Sequence, residues 1–405
     1  MDAPPSLWLD APYTPRAPLR GDHGCDVAIV GGGLMGISLA FDLSGQGLRV
    51  RVLEGGVVAG RASGRNAGFV ITSLAEPYAS LCRRAGHERT RTVWKVNEDN
   101  RARIVSLVED LALDCSFARP GSWCAAASEA EAEQQRASAR MLAQDGFDFR
   151  WIEPKESEEL LGPPGRHGAL FRPGDGQIHP ARFVRGLAAH AEERGVAIHE
   201  GSPVQRLARA GEGWLLQGEG FSVRAPRVVI AANALAPSLH GWFADKIVPV
   251  RGQVLATAPL ATAPKVPGPV YANEGYEYWR LHEGRLILGG QRPRARGEEH
   301  GLDEALNARV QAALDRFLSD NFPGVRAHVT HRWAGIMDFS VDGFPLVGEV
   351  PGEPGLLTAV GFTGHGLGYA LVCSAWLRGM IMEGRDTVPA GFRADRALDR
   401  SLMPP

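Results

Sequence analysis

Residues 26–54 read DVAIVGGGLMGISLAFDLSGQGLRVRVLE. A short apolar run at 26–30 leads into Gly31, Gly33 and Gly36 at GxGxxG spacing, and apolar residues then recur at helical intervals from 37 to 43. Gly47 stops that helix, and residues 49–53 alternate into a second strand ending at Glu54. The pattern predicts strand, tight turn, helix and strand, the unit that binds a dinucleotide. Gly31 permits the turn, Gly33 lets backbone approach a pyrophosphate, and Gly36 lets the helix lie close to the strand. Leu34 and Met35 open the helix, where unpaired N–H groups and the positive dipole end meet phosphate. Glu54 stands 18 residues beyond Gly36, close to the roughly 20 expected of an acid that accepts from the ribose hydroxyls. The unit alone does not separate NAD from FAD.

The rest of the composition narrows the class. At 405 residues the chain calls for two domains. With 44 basic against 46 acidic residues, no basic stripe argues for nucleic acid or an anionic membrane surface. The apolar run at 27–43 is broken by glycines and Asp42, which disfavours a membrane span. The first fifteen residues carry neither a basic nor an apolar leader segment. Five scattered cysteines without CxxC spacing indicate neither a zinc site nor a disulfide framework, and no metal is expected. The expectation is a cytoplasmic protein with free thiols.

Residues 1–20, with five prolines and Trp8, read as an extended arm. A glycine- and alanine-rich loop, GGVVAGRASGRNAGFV, follows Glu54. Helical patterns at 87–113 and 128–144 read as an insertion, and Pro180 opens a further helix with His179 at its start. Short strands follow at 197–200, 204–207, 214–217 and 221–225, then the buried-type run RVVIA at 227–231. A strand-rich block at 247–288 closes with an amphipathic helix over 303–321. Near the end, LLTAV at 356–360, the turn GFTGHG at 361–366 and a long apolar helix over 367–382 repeat the strand, glycine turn, helix order of the first unit. A second helix start offers N–H groups and a positive dipole end where a reduced flavin carries negative charge. A nicotinamide enzyme has no need of it, and this feature selects FAD.

The N-terminal unit, VVIAANA at 228–234, WAGIMDFSVDGFPLVG and GFTGHG together resemble the D-amino-acid oxidase/glycine oxidase superfamily. Within it the chain is most similar to the branch containing gamma-glutamylputrescine oxidase, a likeness to which the Trp8 arm and the SGRNAG loop contribute. The resemblance implies an α/β fold in which a Rossmann-like, GR2-type FAD-binding domain (residues 1–85, 150–245 and 332–405) interleaves with a sheet-plus-helix substrate domain (86–149 and 246–331). It implies oxidation of a C–N bond of an amine or amino acid, with oxygen or an electron carrier as acceptor. Another reading is a flavin-bearing subunit that acts only within a multi-component dehydrogenase.

Carried over by motif, Gly31, Gly33, Leu34, Met35 and Gly36 face the pyrophosphate, and Glu54 the ribose. Ser63, Gly64, Arg65, Asn66 and Ala67 lie by the phosphates and ring, and Val204 and Ala232 by the adenosine. Gly335, Gly364, His365, Gly366 and Leu367 lie at the flavin. Attachment is expected to be non-covalent, because neither ASGRN nor GIMDFS offers the histidine or cysteine that relatives use.

Tyr278, Gln291 and His365 are the candidates for work on substrate. Tyr278 equally fits a core tyrosine with a satisfied hydroxyl, and His365 equally fits a helix cap. Met337 aligns with the arginine that clamps a substrate carboxylate in relatives, and a thioether makes no bidentate contact. An amine or a substrate with a distal carboxylate is therefore expected, with Arg280 and Arg292 as possible substitutes, although a solvated Arg292 is the plainer reading. Arg251 and Gln253 are expected to brace the two domains. Ile287 stands where some relatives carry an oxygen-activating lysine, which leaves a dehydrogenase open.

Overall fold

The computed structural model describes residues 4–72, 74 and 76–403 of the chain. Val27–Val30 is buried on both faces, as its unbroken apolar sequence requires, and it sits within a six-stranded sheet. The order across that sheet is Leu346–Glu349, Leu356–Val360, Arg227–Ile230, Val27–Val30, Val50–Leu53 and Ala197–His199, parallel except at the first pair. Val27 and Ile29 pack towards Ile37, Leu187 and Leu371 on the helical side. Ala28 and Val30 turn the other way, towards Trp214, Leu216 and Val223. Those three belong to a four-stranded sheet formed by Gly21–Gly24, Phe221–Ala225, Gly213–Gly218 and Arg206–Ala210. The parallel sheet is thus covered by helices on one face and by a second sheet on the other.

The helix Leu34–Leu43 packs against Pro180–Glu193 and Gly366–Glu383. Close approach to its own strand depends on Gly36, where an added Cβ would stand 1.9 Å from the Gly31 carbonyl oxygen. His179 starts the helix Pro180–Glu193 as expected, its Nδ1 accepting from the Arg182 amide at 3.2 Å. The helix expected over 303–321 begins only at Ala308, because the Asn307 side chain caps the Arg309 and Val310 amides. The strand expected at 204–207 lies at Arg206–Ala210.

An eight-stranded sheet forms the other half of the molecule. Its order is Val329–Ser340, Ile247–Thr257, Arg285–Gly290, Glu277–His282, Val270–Ala272, Ser122–Ala125, Ala169–Arg172 and Arg150–Ile152. This sheet redraws the expected domain limits. Residues 150–152 and 169–172 pair inside it, and a limit at 332 would cut the strand Val329–Ser340.

The helix His87–Asp110 is no detached insertion. It packs on Gly366–Glu383, with Asn97 donating to the Gly368 carbonyl at 3.1 Å and Asn100 to the Leu367 carbonyl at 2.7 Å. Arg251 and Gln253 brace the chain after the sheet rather than two domains. Both donate to the Glu299 carboxylate, at 3.0–3.1 Å. All five cysteines are free, and no helix among the described residues is long and apolar enough to cross a membrane.

Candidate active site

Between the two large sheets runs a cavity of about 770 Å³, and most of the residues singled out from sequence line it. At one end are Gly31, Gly33, Leu34, Met35, Glu54, Val204 and Ala232. At the other are Gly335, Met337, Gly364, His365, Gly366 and Leu367, with Ser63, Arg65, Asn66 and Ala67 along the wall between. Gly36 and Gly64 stand behind the wall. A Cβ on Gly64 would lie 2.2 Å from the Ala59 carbonyl oxygen, so its role is close packing of the loop.

Glu54 has the geometry of a ribose acceptor. Its carboxylate takes the Gly32 amide at 2.7 Å and the Gly56 amide at 2.6 Å, fixing the side chain beside the cavity. Burial raises its pKa, against the lowering effect of those amides. Ser63 Oγ accepts from the Leu34 amide at 2.8 Å, which ties the loop to the start of the first helix. Ala231 meets Gly31 so closely that a Cβ there would lie 2.5 Å from the Ala231 oxygen, and Gly31 has φ +116°. A backbone cradle without side chains, next to an anchored carboxylate, fits an adenosine diphosphate moiety.

Four carbonyls of the loop at 63–68 are each bound by a donor from elsewhere in the chain. Ser6 Oγ donates to Gly64 O at 2.5 Å, Trp333 Nε1 to Arg65 O at 2.8 Å, Trp8 Nε1 to Asn66 O at 2.6 Å, and Arg280 Nη1 to Gly68 O at 2.9 Å. The arm around Trp8 therefore buttresses the cavity wall. The Arg65 guanidinium turns away from the cavity to the Gly60, Pro4 and Ala334 carbonyls and to Glu304. Arg65 thus lines the cavity, but nothing in the sequence signals that its charge points elsewhere.

The far end is an aromatic chamber. Phe69, Tyr271 and Tyr278 pack at 5.2–6.1 Å between ring centroids, and all three line the cavity. The Tyr278 ring lies over Gly289, where a Cβ would come within 2.2 Å of it. Burial raises the Tyr278 phenol well above its ordinary value, so it stays protonated. His365 Nδ1 pairs with the Thr363 carbonyl at 2.8 Å and makes no capping bond to the helix that follows. Burial lowers its pKa, which favours the neutral ring with Nε2 as acceptor.

Gln291 is not on the cavity wall. Its amide donates to Glu277 Oε1 at 2.7 Å, its backbone N–H to Tyr276 O at 2.7 Å, and its φ of +61° turns the chain sharply. The neighbour benefits. Arg292 lines the cavity, with its guanidinium 5.3 Å from the Phe339 ring and 5.4 Å from that of Tyr276. The solvated reading of Arg292 is thus corrected, and Gln291 becomes the residue that aims it. Arg280, the other candidate, is fully buried behind Gly68 and does not line the cavity.

Sequence reading missed Asp338. It is buried on the cavity side and accepts the Gly361 amide at 2.6 Å and the Phe362 amide at 3.2 Å, and burial lifts its pKa to about 7. No group of three or more possible metal ligands occurs among the described residues.

The chain is similar to known proteins over most of its length. The model of the family described as DAO, FAD dependent oxidoreductase, matches residues 26–380. A probable oxidoreductase OrdL of Rhizobium meliloti (strain 1021) is 26% identical over 382 residues, covering 92% of this chain and 87% of its own. Glycine oxidase of Geobacillus kaustophilus is 27% identical over 360 residues (85% and 89%), and its crystal structure superposes with a TM-score of 0.78 over 93% of this chain and all of its own. Gamma-glutamylputrescine oxidoreductase of Escherichia coli (strain K12) is 24% identical over 367 residues, covering 88% and 83%.

Proposed function

This chain belongs to the DAO family of FAD-dependent oxidoreductases, and from that premise we propose that it oxidises the C–N bond of an amine or N-substituted amino acid that carries a carboxylate. Arg292, half-buried in the aromatic chamber, is the observation that carries the reading. An ionised guanidinium flanked by two aromatic rings is a built site for a carboxylate, and desolvation there strengthens the pairing. Met337, at the position aligned with the relatives' arginine, closes the wall with a thioether. The carboxylate is then held from the end of the strand Arg285–Gly290 and not from Val329–Ser340.

When bound, FAD supplies the acceptor for the hydrogen and electron pair that leave the carbon next to nitrogen, giving an imine that water hydrolyses. The protein's part is position and protonation state. Tyr271, Tyr278 and Phe69 shape the apolar wall against which the reacting carbon lies. Burial holds His365 neutral on the wall, so it places no charge beside the substrate nitrogen. In this reading the six-stranded sheet and its helices hold a non-covalently bound nucleotide, and the eight-stranded sheet roofs the ring. None of the five cysteines lines the cavity.

The test is the anaerobic visible spectrum of the holoprotein with gamma-glutamyl amines, sarcosine, glycine, D-amino acids and polyamines. Bleaching by carboxylate-bearing amines and not by their decarboxylated analogues is the expected result. Admitting air afterwards separates oxygen from a carrier as acceptor. Arg292→Met should raise KM for the bleaching substrate by roughly 10–100-fold, the worth of a charged hydrogen-bond pair. A substrate turned over equally well by this variant would remove Arg292 from the site. A yellow protein that no amine bleaches would favour the subunit reading.

A further inference from the structure

Arg280 is an anomaly in charge balance. Its side chain has no exposed surface, and among the described residues its hydrogen-bond partner is the Gly68 carbonyl, which accepts from Nη1 at 2.9 Å. Nε and Nη2 are buried without a hydrogen-bond partner among the described residues. Around the guanidinium are the Trp8 ring at 4.9 Å, His179 and His282. Burial lowers the pKa of both histidines, to about 3 and about 4, so neither supplies nor removes charge at neutral pH. Arg280 itself is lowered to about 9 by desolvation alone, and it remains a cation at neutral pH.

Two other buried arginines are compensated by carboxylates. Arg251 meets Glu299 and two carbonyls, and Arg65 meets Glu304 and three carbonyls. Burying a guanidinium without such partners is costly, and a sequence retains it only when something else gains from the charge. Position indicates what gains. Arg280 lies on the same strand face as Tyr278, which lines the cavity. The Gly68 carbonyl it binds belongs to a wall residue flanked by Ala67 and Phe69, also on the wall. Because the loop carbonyls are pinned from four directions, the charge is fixed relative to the cavity and needs no rearrangement to act there.

We propose that Arg280 is the buried counter-charge for the reduced, negatively charged form of the cofactor ring, acting through the loop wall at Ala67–Gly68 without touching substrate. The inference rests on FAD binding and not on any choice of substrate. A fixed unit charge in a low-dielectric wall favours the reduced over the oxidised cofactor by roughly tenfold or more.

Reduction of the holoprotein in equilibrium with a dye of known potential reads this ratio directly. Arg280→Gln should shift the equilibrium towards oxidised flavin by about tenfold, or about 30 mV for a two-electron couple. Arg280→Lys keeps the charge and should stay within about threefold of the unaltered chain. Trp8→Phe keeps the charge and an aromatic ring beside it while removing the indole bond to Asn66; it should loosen FAD without moving the equilibrium. Where Arg280→Gln releases the cofactor, titrating the apoprotein with oxidised and with reduced FAD yields the same ratio from the two affinities. An unchanged ratio in Arg280→Gln would overturn the proposal. So would equal shifts in Arg280→Gln and Trp8→Phe, which would trace the effect to the loop and not to the charge.

Discussion

The parallel sheet meets a helix through a glycine turn at two places, and a carboxylate closes each turn. At Gly31 the carboxylate is Glu54, from the adjacent strand of the same sheet, and it takes the Gly32 and Gly56 amides. At Gly361 it is Asp338, from the strand Val329–Ser340 of the other sheet, and it takes the Gly361 and Phe362 amides. Both carboxylates border the cavity, but Glu54 is half-buried whereas Asp338 is 1% exposed. The first turn is completed locally and built to receive a ligand. The second also lines the cavity, but its carboxylate ties one sheet to the other.

The strongest way to break this comparison is at the first turn. Gly33 lies on the cavity wall, and a Cβ there would stand 3.0 Å from Ser63 Oγ. In Gly33→Asp a carboxylate occupies the approach of the pyrophosphate, and the helix start repels where it attracted. Loss of FAD affinity of roughly 100-fold or more is expected, read as flavin absorbance retained through gel filtration. Full occupancy in the variant would dismantle the assignment of this turn to the nucleotide.

The second turn should show itself in the pH dependence of stability. The Asp338 carboxyl is raised by burial from 3.8 to about 7 in the folded chain. Below pH 4 folded and unfolded chains both hold this proton, so its full contribution to stability is present there. As pH rises towards 7 the unfolded chain releases the proton first, and stability falls; above 7 the loss is complete. Asp338→Asn has nothing to ionise, so the apoprotein melting temperature should fall less between pH 5 and pH 8 than in the parent. Each 1 kcal/mol is worth about 2–4 °C at this domain size. Parallel pH profiles in the two proteins would mean that Asp338 is ionised in the fold.

The difference between the turns also explains what the sequence discloses. Most of the first site falls within residues 26–68, so spacing brought Gly31, Gly33 and Glu54 together and the family motif added Ser63, whereas Val204 and Ala232 join it from far along the chain. Asp338 reaches its turn across 23 residues and a change of sheet, and no periodicity marks it. Asn97 and Asn100 were equally hidden. Their spacing of three puts both on one helix face, and two buried asparagines there are the only hint of a partner. Arg292 was misread because its direction depends on the left-handed turn at Gln291, a conformation that glutamine does not announce. The Trp8 arm was recognisable as an arm, but that its indole holds the cofactor loop follows only from the structure.

The smallest expected effect separates the turns most finely. Ser63 Oγ accepts from the Leu34 amide at 2.8 Å, standing in for an acceptor at the first helix start. Ser63→Ala should weaken the apoprotein by about 1 kcal/mol, the usual worth of such a cap. Bound phosphate provides the same amide with another acceptor, so the holoprotein should lose less, and the FAD-induced rise in melting temperature should be larger in the variant. At the second turn Thr363 Oγ1 accepts from the Ser340 amide at 3.3 Å and donates to the Gly361 carbonyl at 3.3 Å, joining the two sheets. No ligand group replaces those contacts, and Thr363→Ala should lower apo- and holoprotein stability alike. Melting curves of both variants with and without FAD decide the matter: a ligand-dependent penalty at Thr363, or a ligand-independent one at Ser63, would show that the two turns do the same job.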